Sequence, residues 1–153
     1  MGKKVPLLLI PLVLFSPLIT AMGKDYNSNS LTIEIFPDGS VNVDYKIKPD
    51  PSLARVNVSL PGKYYTDLLI VDEDGIILDW DPVDCGVEVD SIGTEELSIS
   101  YYSVSLTNKT GSTWSVCIDS EASTNYLLPS NAVLVGLSST PSSISIIDTY
   151  FSY

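Results

Sequence analysis

From Leu31 onward, apolar residues alternate with polar ones along short runs, and this period of two constrains the fold more than any other feature. Leu31, Ile33 and Ile35 form the first run, and alternate positions from Val41 to Ile47 form the second. Successive side chains of a strand point to opposite faces of a sheet, so such runs indicate strands with one buried face. The Pro-Asp-Gly stretch between the two runs is typical of a hairpin turn.

Similar runs continue at short spacing to the end of the chain, and 3.6-residue periodicity is nearly absent. Roughly nine or ten short strands with turn residues between them are typical of a sandwich. We therefore expect an all-β fold, an antiparallel β-sandwich that occupies residues 24–153. Beyond the first hairpin, the strands are predicted at 56–60, 64–71, 76–80, 85–90, 97–101, 113–118, 124–128, 132–137 and 143–147.

The first 23 residues have the pattern of a signal peptide. Two lysines precede an apolar run at 5–22, and Ala21 and Gly23 supply the small residues of a cleavage site. We expect residues 1–23 to be removed and the mature chain to begin near Lys24. An uncleaved anchor is the alternative, although three prolines in the run disfavour a membrane helix. The predicted location is secreted, extracellular or at the cell surface.

The chain is strongly acidic, with a formal net charge of −11, and loss of the leader lysines would make it more negative. Binding to a phosphate backbone requires the opposite sign, so we expect no nucleic acid partner. Such a charge keeps an exported domain soluble and is consistent with acidic side chains on solvated strand faces.

The chain contains no histidine. This absence excludes Ser-His-Asp and Cys-His nucleophilic systems, histidine zinc sites and the most common general base. A glycoside hydrolase that uses carboxylates alone is the one enzymatic alternative. We expect no catalytic residues, since the acidic residues fall mainly in turns and at outward strand positions.

Cys85 and Cys117 are the two cysteines. In an exported chain a disulfide between them is the first expectation. Cys85 falls on the same face of its predicted strand as the apolar Val87, whereas Cys117 falls on the face opposite to that of Val116. A bridge would therefore need a strand end or a bulge.

Two further kinds of site are suggested by short motifs. The acidic stretch with Asp72, Asp74, Asp79 and Asp81 could offer oxygen ligands to a structural calcium ion, against the alternative of solvated turn residues. No other cofactor is expected. The motifs that begin at Asn57 and Asn108 are acceptor sequons for N-linked sugar, and Asn57 lies at an outward position of its strand.

Characteristic turn and strand motifs occur at 35–45, 56–60, 69–75, 98–103, 111–116 and 128–138. Together these motifs resemble a family of archaeal extracytoplasmic β-sandwich domains of unassigned activity. The resemblance implies an exported sandwich, commonly part of a cell-surface protein with a C-terminal membrane anchor. This chain stops at Tyr153, so we expect no permanent anchor after signal cleavage.

Three functions compete on this evidence. The first is a non-enzymatic structural or assembly protein of the cell surface, which could form an extracellular filament by strand exchange with copies of itself or other surface proteins. The second is a monomeric module that binds glycans or proteins, with Trp80 and Trp114 as candidate stacking residues. The third is the hydrolase. The candidate donor strands are residues 25–36 and the tail 143–153, whose assembly residues are Ile144, Ile146, Tyr150, Phe151 and Tyr153. The alternative is that both terminal strands complete the sandwich of their own chain.

Overall fold

The computed structural model describes residues 25–145. Within this range the chain forms ten β-strands and no helix, which confirms the predicted all-β class. The strands are β1 (Tyr26–Ile35), β2 (Val41–Pro49), β3 (Arg55–Ser59), β4 (Thr66–Val71), β5 (Trp80–Val83), β6 (Gly86–Asp90), β7 (Leu97–Ser103), β8 (Thr107–Thr110), β9 (Thr113–Val116) and β10 (Ser123–Leu127).

Five strands form the larger sheet, in the order β10-β1-β2-β7-β4. The predicted hairpin of β1 and β2 lies in its middle, with Ile33 opposite Val43 and Leu31 opposite Tyr45. All pairs in this sheet are antiparallel except β1 with β10, which run parallel. The first and the last strand of the described chain are therefore neighbours.

The smaller sheet has the order β3-β6-β5, and β8 and β9 form a separate two-stranded hairpin. This hairpin places the Trp114 ring against the β1–β2 turn at Gly39, where a Cβ atom would come within 2.3 Å of the ring. Gly39 has φ of 87°, a conformation that side chains disfavour. Both facts favour glycine at this turn.

One core fills the space between the larger and the smaller sheet. Along β2, every second residue from Val41 to Pro49 is buried. Val56 and Val58 of β3 and Val87 and Val89 of β6 face them from the smaller sheet. The alternation in the sequence thus has its predicted cause, a sandwich with one dry and one wet face per sheet.

Buried tyrosines add hydrogen bonds to this core. The Tyr101 hydroxyl donates to the carbonyl oxygen of Pro61 at 2.8 Å, and its ring meets Tyr65 edge to face. The Tyr45 hydroxyl lies 2.6 Å from that of Ser28. These bonds satisfy the polar ends of large apolar side chains.

Burial raises the pKa of Tyr45 to about 12 and raises the pKa of Tyr101 as well. In the unfolded chain both would ionise near pH 10. Because folding favours the neutral forms, their contribution is complete below pH 10 and is lost as the pH rises through the folded pKa. We expect Tyr45 alone to lower the free energy of unfolding by about 2 kcal/mol between pH 10 and 12, and Tyr101 to add to this loss.

Urea unfolding at a series of pH values measures this loss. Tyr45→Phe should make the decline shallower, while Tyr102→Phe, at an exposed position on the same sheet, should leave it unchanged. A decline equally steep in all three proteins would show that Tyr45 is not its source.

Three sequence predictions of strands are wrong in part. Residues 76–78 pair with β4 through the Val71–Ile77 bridge, but the next strand begins only at Trp80 and belongs to the smaller sheet. Residues 132–137 form no strand although they alternate, and neither do residues 143–145. The remainder of the predicted 143–147 strand lies outside the described residues. The polar strand β8 was not predicted, because it has no apolar alternation.

Candidate assembly surface

An open sheet has two edge strands whose outward N–H and C=O groups invite another chain. The edge of β3 is covered by side chains from the start of β1. The Asp25 carboxylate accepts a hydrogen bond from the Asn57 amide at 3.5 Å, and the Tyr26 hydroxyl accepts one from the Ser59 amide at 3.3 Å. These two side chains occupy backbone groups that a further strand would need.

The edges of β4 and β5 are protected in other ways. A bulge separates Thr66 from Leu69 in β4, and Asp67 within it has φ of 53°. The last residues of β4 bond to residues 76–78. In β5, Pro82 removes a backbone donor and Asp81 adds a charge. Bulges, charges and proline are features that discourage edge pairing.

The edge formed by β10 lacks these features. Its five residues include no charge, proline or bulge, and among residues 25–145 its only strand neighbour is β1. Thr124 and Tyr126 pair with the core residues Leu31 and Ile33, so they face the core side of the larger sheet. Tyr126 is nevertheless 44% exposed. The smaller sheet therefore does not extend over β10.

The segment that follows β10 is apolar and unburied. Leu128, Val133, Leu134, Val135 and Leu137 are all exposed, with Val133 at 82% and Val135 at 78%. The Ala132 amide donates a turn hydrogen bond to the carbonyl oxygen of Pro129 at 2.9 Å. We call residues 128–145 the apolar segment. Exposed apolar side chains so close together in the sequence make this segment a candidate interaction surface.

Charge sets this region apart from the rest of the protein. Residues 122–145, which include β10 and the apolar segment, contain no Asp, Glu, Lys or Arg, although the whole chain has a net charge of −11. Copies of an acidic protein repel one another over most of their surface. The uncharged stretch is where two copies could approach at the smallest electrostatic cost.

The predicted assembly residues are only partly described. Ile144 is 75% exposed and belongs to no strand. Ile146, Tyr150, Phe151 and Tyr153 lie outside the described residues. The other predicted donor, residues 25–36, contains β1, which is paired on both sides within its own sheet. Sequence reasoning missed the surface around β10 and 132–137, which the uncharged stretch could have indicated.

The predicted disulfide is absent from the structure. Cys85 and Cys117 are both free and exposed. Cys85 lies in the turn between β5 and β6 of the smaller sheet, whereas Cys117 follows β9 of the separate hairpin. Because no strand pairing joins these two sheets, the fold gives no register that would align the two thiols.

The four aspartates predicted for calcium are not brought together. Among residues 25–145, no group of three or more acidic, cysteine or histidine side chains is placed to hold a metal ion. Asp72 caps its turn by accepting hydrogen bonds from the Asp74 and Ile76 amides at 3.0 and 2.8 Å. Asp79 lies exposed just before β5, and its carbonyl oxygen accepts a bond from the Asp90 amide.

Asp81 belongs instead to an ion-pair network on the outer face of the smaller sheet. Its carboxylate lies 2.7 Å from Arg55, which also contacts Glu88 and Asp90 at 2.5 and 2.6 Å. The bond with Asp81 is the main reason why the pKa of Arg55 is raised. A carboxylate engaged by a guanidinium is a poor calcium ligand, so Asp81 is not available to the predicted site.

Both sequon asparagines lie on strands and are exposed. Asn57 is in β3, and Asn108 is in β8. The Asn108 carbonyl oxygen accepts a bond from the Ser115 hydroxyl. Their side chains are therefore accessible to solvent, and glycosylation remains a prediction.

A cavity of about 280 Å³ opens between the sheets beside β3. Tyr26, Tyr45, Asp119 and Glu121 contribute to its wall, so it could admit a small polar ligand. The tryptophans lie elsewhere. Trp80 packs against the core, and Lys109 Nζ lies 4.8 Å from the Trp114 ring centroid. Neither presents an open row of aromatic faces.

Comparison with family models, curated proteins and solved structures finds no match for this chain. The resemblance to archaeal extracytoplasmic domains therefore stays a prediction. Among residues 25–145 there is no helix long and apolar enough to cross a membrane.

Proposed function

We propose that this protein is an exported, non-enzymatic structural subunit of the cell exterior that associates with copies of itself. The uncharged stretch of β10 and the apolar segment is the observation that carries the proposal. It combines an unprotected sheet edge with exposed valine and leucine side chains. The other edges of the two packed sheets carry the features that natural sheets use to avoid association.

Catalysis has less support. Without histidine, a reaction would depend on carboxylates with raised pKa values. The pKa values of Asp38, Asp50 and Glu73 are lowered instead, through hydrogen bonds that their carboxylates accept. Glycan binding has some support from the cavity beside β3, but both tryptophans that the sequence suggested for stacking are engaged elsewhere in the fold.

Light scattering of the purified exported protein over a concentration series tests the proposal. We expect the mean mass to rise with concentration, and the double substitution Val133→Asp with Val135→Asp to reduce the association constant at least tenfold. Both side chains are exposed, so the folded monomer should be unaffected. The loss has two causes, buried charge and repulsion between copies.

The matched control is Ser139→Asp with Ser142→Asp. It adds the same charge within the apolar segment but removes no apolar side chain. We expect it to weaken association much less. If the unmodified protein is monomeric at all concentrations, the proposed function is wrong.

A further inference from the structure

The geometry of the four edges of the two packed sheets selects one acceptor for an added strand. At β3, the amides of Asn57 and Ser59 are already bonded to Asp25 and Tyr26. At β4 and β5 the bulge and Pro82 interrupt the row of backbone groups. Among these four edges, β10 is the one without any of these features, and its core-side face is partly exposed beside the smaller sheet. The edge of β9, in the separate hairpin, is also uncharged, but it lies outside the uncharged stretch of residues 122–145.

The apolar segment has the pattern required of a donor. In an extended conformation Val133, Val135 and Leu137 would share one face, and Leu134 would lie on the other. The face that Val133, Val135 and Leu137 share could cover Tyr126, a residue that is 44% exposed on the core side of β10. The sequence at 132–137 therefore has the pattern of a strand, but in a single copy this segment forms no strand.

We propose that residues 132–137 of one copy add as a strand to the free edge of β10 of a second copy, with Val133, Val135 and Leu137 over Tyr126. This inference rests on the proposed function and specifies how the copies associate. Backbone hydrogen bonds would supply affinity, and the alternating side chains would supply register. The larger sheet would thereby become six-stranded.

Charge and chain geometry favour a second copy as the source of this strand. Donor and acceptor both lie in the uncharged stretch, so their approach avoids the repulsion that a net charge of −11 imposes elsewhere. Within one copy the turn at Pro129–Ala132 connects β10 to the donor, yet the two remain unpaired. A hairpin formed within one chain is the rival outcome.

Disulfide trapping between two purified cysteine variants of the protein tests the inference. Both carry Cys85→Ser and Cys117→Ser. One adds Asn125→Cys, which by register lies on the face opposite Tyr126, and the other adds a single cysteine at 132, 133, 134, 135 or 136. Opposed residues of paired strands are close enough for a disulfide only when their side chains share a face. After mixing and mild oxidation, non-reducing gels measure the covalent heterodimer.

We expect heterodimer from cysteines at 132, 134 and 136 in at least fivefold excess over those at 133 and 135. Ser142→Cys serves as a control outside the donor and should give little. Equal heterodimer yields at all positions would overturn the inference. So would disulfides that form only in a further variant, which carries Asn125→Cys and the donor cysteine in one chain. If light scattering shows association but the disulfide yields do not alternate along residues 132–136, the inference is wrong and the proposed function still holds. If light scattering shows no association, both the inference and the proposed function are wrong.

Discussion

Replacement of Gly86 by alanine is expected to destabilise the domain by about 3 kcal/mol or more. Gly86 opens β6 and lies opposite Ser59 of β3. An ideal Cβ atom at this position would lie 1.9 Å from the carbonyl oxygen of Val58 and 2.9 Å from its carbonyl carbon. Both are backbone atoms of the neighbouring strand, so they cannot turn away as a flexible side chain would. The smaller sheet must separate or shift.

Gly75→Ala is the matched control for this prediction. Gly75 also belongs to a turn, but no heavy atom lies within 4 Å of its ideal Cβ position. Its φ of 80° gives the substitution a conformational cost of about 1 kcal/mol. Urea unfolding followed by circular dichroism compares the two variants. Equal destabilisation would show that the contact with β3 is not what requires glycine at position 86.

Leu31→Ala is expected to cost about 2–5 kcal/mol in the free energy of unfolding. Leu31 is fully buried and lies on β1, between Tyr45 of β2 and Thr124 of β10. Removal of its side chain leaves a cavity at the centre of the larger sheet, where neighbours on both sides are fixed by backbone pairing. Since a domain is stable by only about 5–15 kcal/mol, this loss would lower the melting temperature strongly.

Leu134→Ala makes the same chemical change at an exposed site of the apolar segment. We expect the stability of the monomer to remain within about 0.5 kcal/mol of the unmodified protein. Thermal unfolding at low protein concentration measures both variants. A similar loss from Leu134→Ala would mean that the apolar segment is buried within the monomer, which contradicts the surface described above.

Period-two alternation was sufficient to predict the class of fold and most strands of the two packed sheets. It succeeded in β2, where each buried position is an apolar or aromatic residue or Pro49, because a half-buried strand requires that pattern. It failed at β8, which is polar throughout, since this strand lies outside the sandwich. It also failed at 132–137, because this segment has a strand-like pattern but pairs with no strand among residues 25–145.

The placement of the predicted disulfide and calcium residues could not be derived from the sequence for a different reason. Parity along a strand says which face a residue occupies, but it does not say which strands become neighbours. The sequence alone could not reveal that Cys85 and Cys117 lie next to strands of different sheets, or that Asp81 lies beside Arg55. The edge position of β10 depends on its parallel pairing with β1, a contact between distant parts of the chain that no local motif indicates.

That parallel pair also imposes an order on folding during synthesis. The ribosome delivers β1 first among the described strands, but its β10 neighbour emerges only after the nine others. Until then, one side of β1 carries unpaired backbone groups next to Leu31 and Ile33. Contacts so distant in sequence form slowly, and an open apolar edge invites aggregation while it persists. A nascent chain of this protein would therefore need protection until almost the whole domain has been translated.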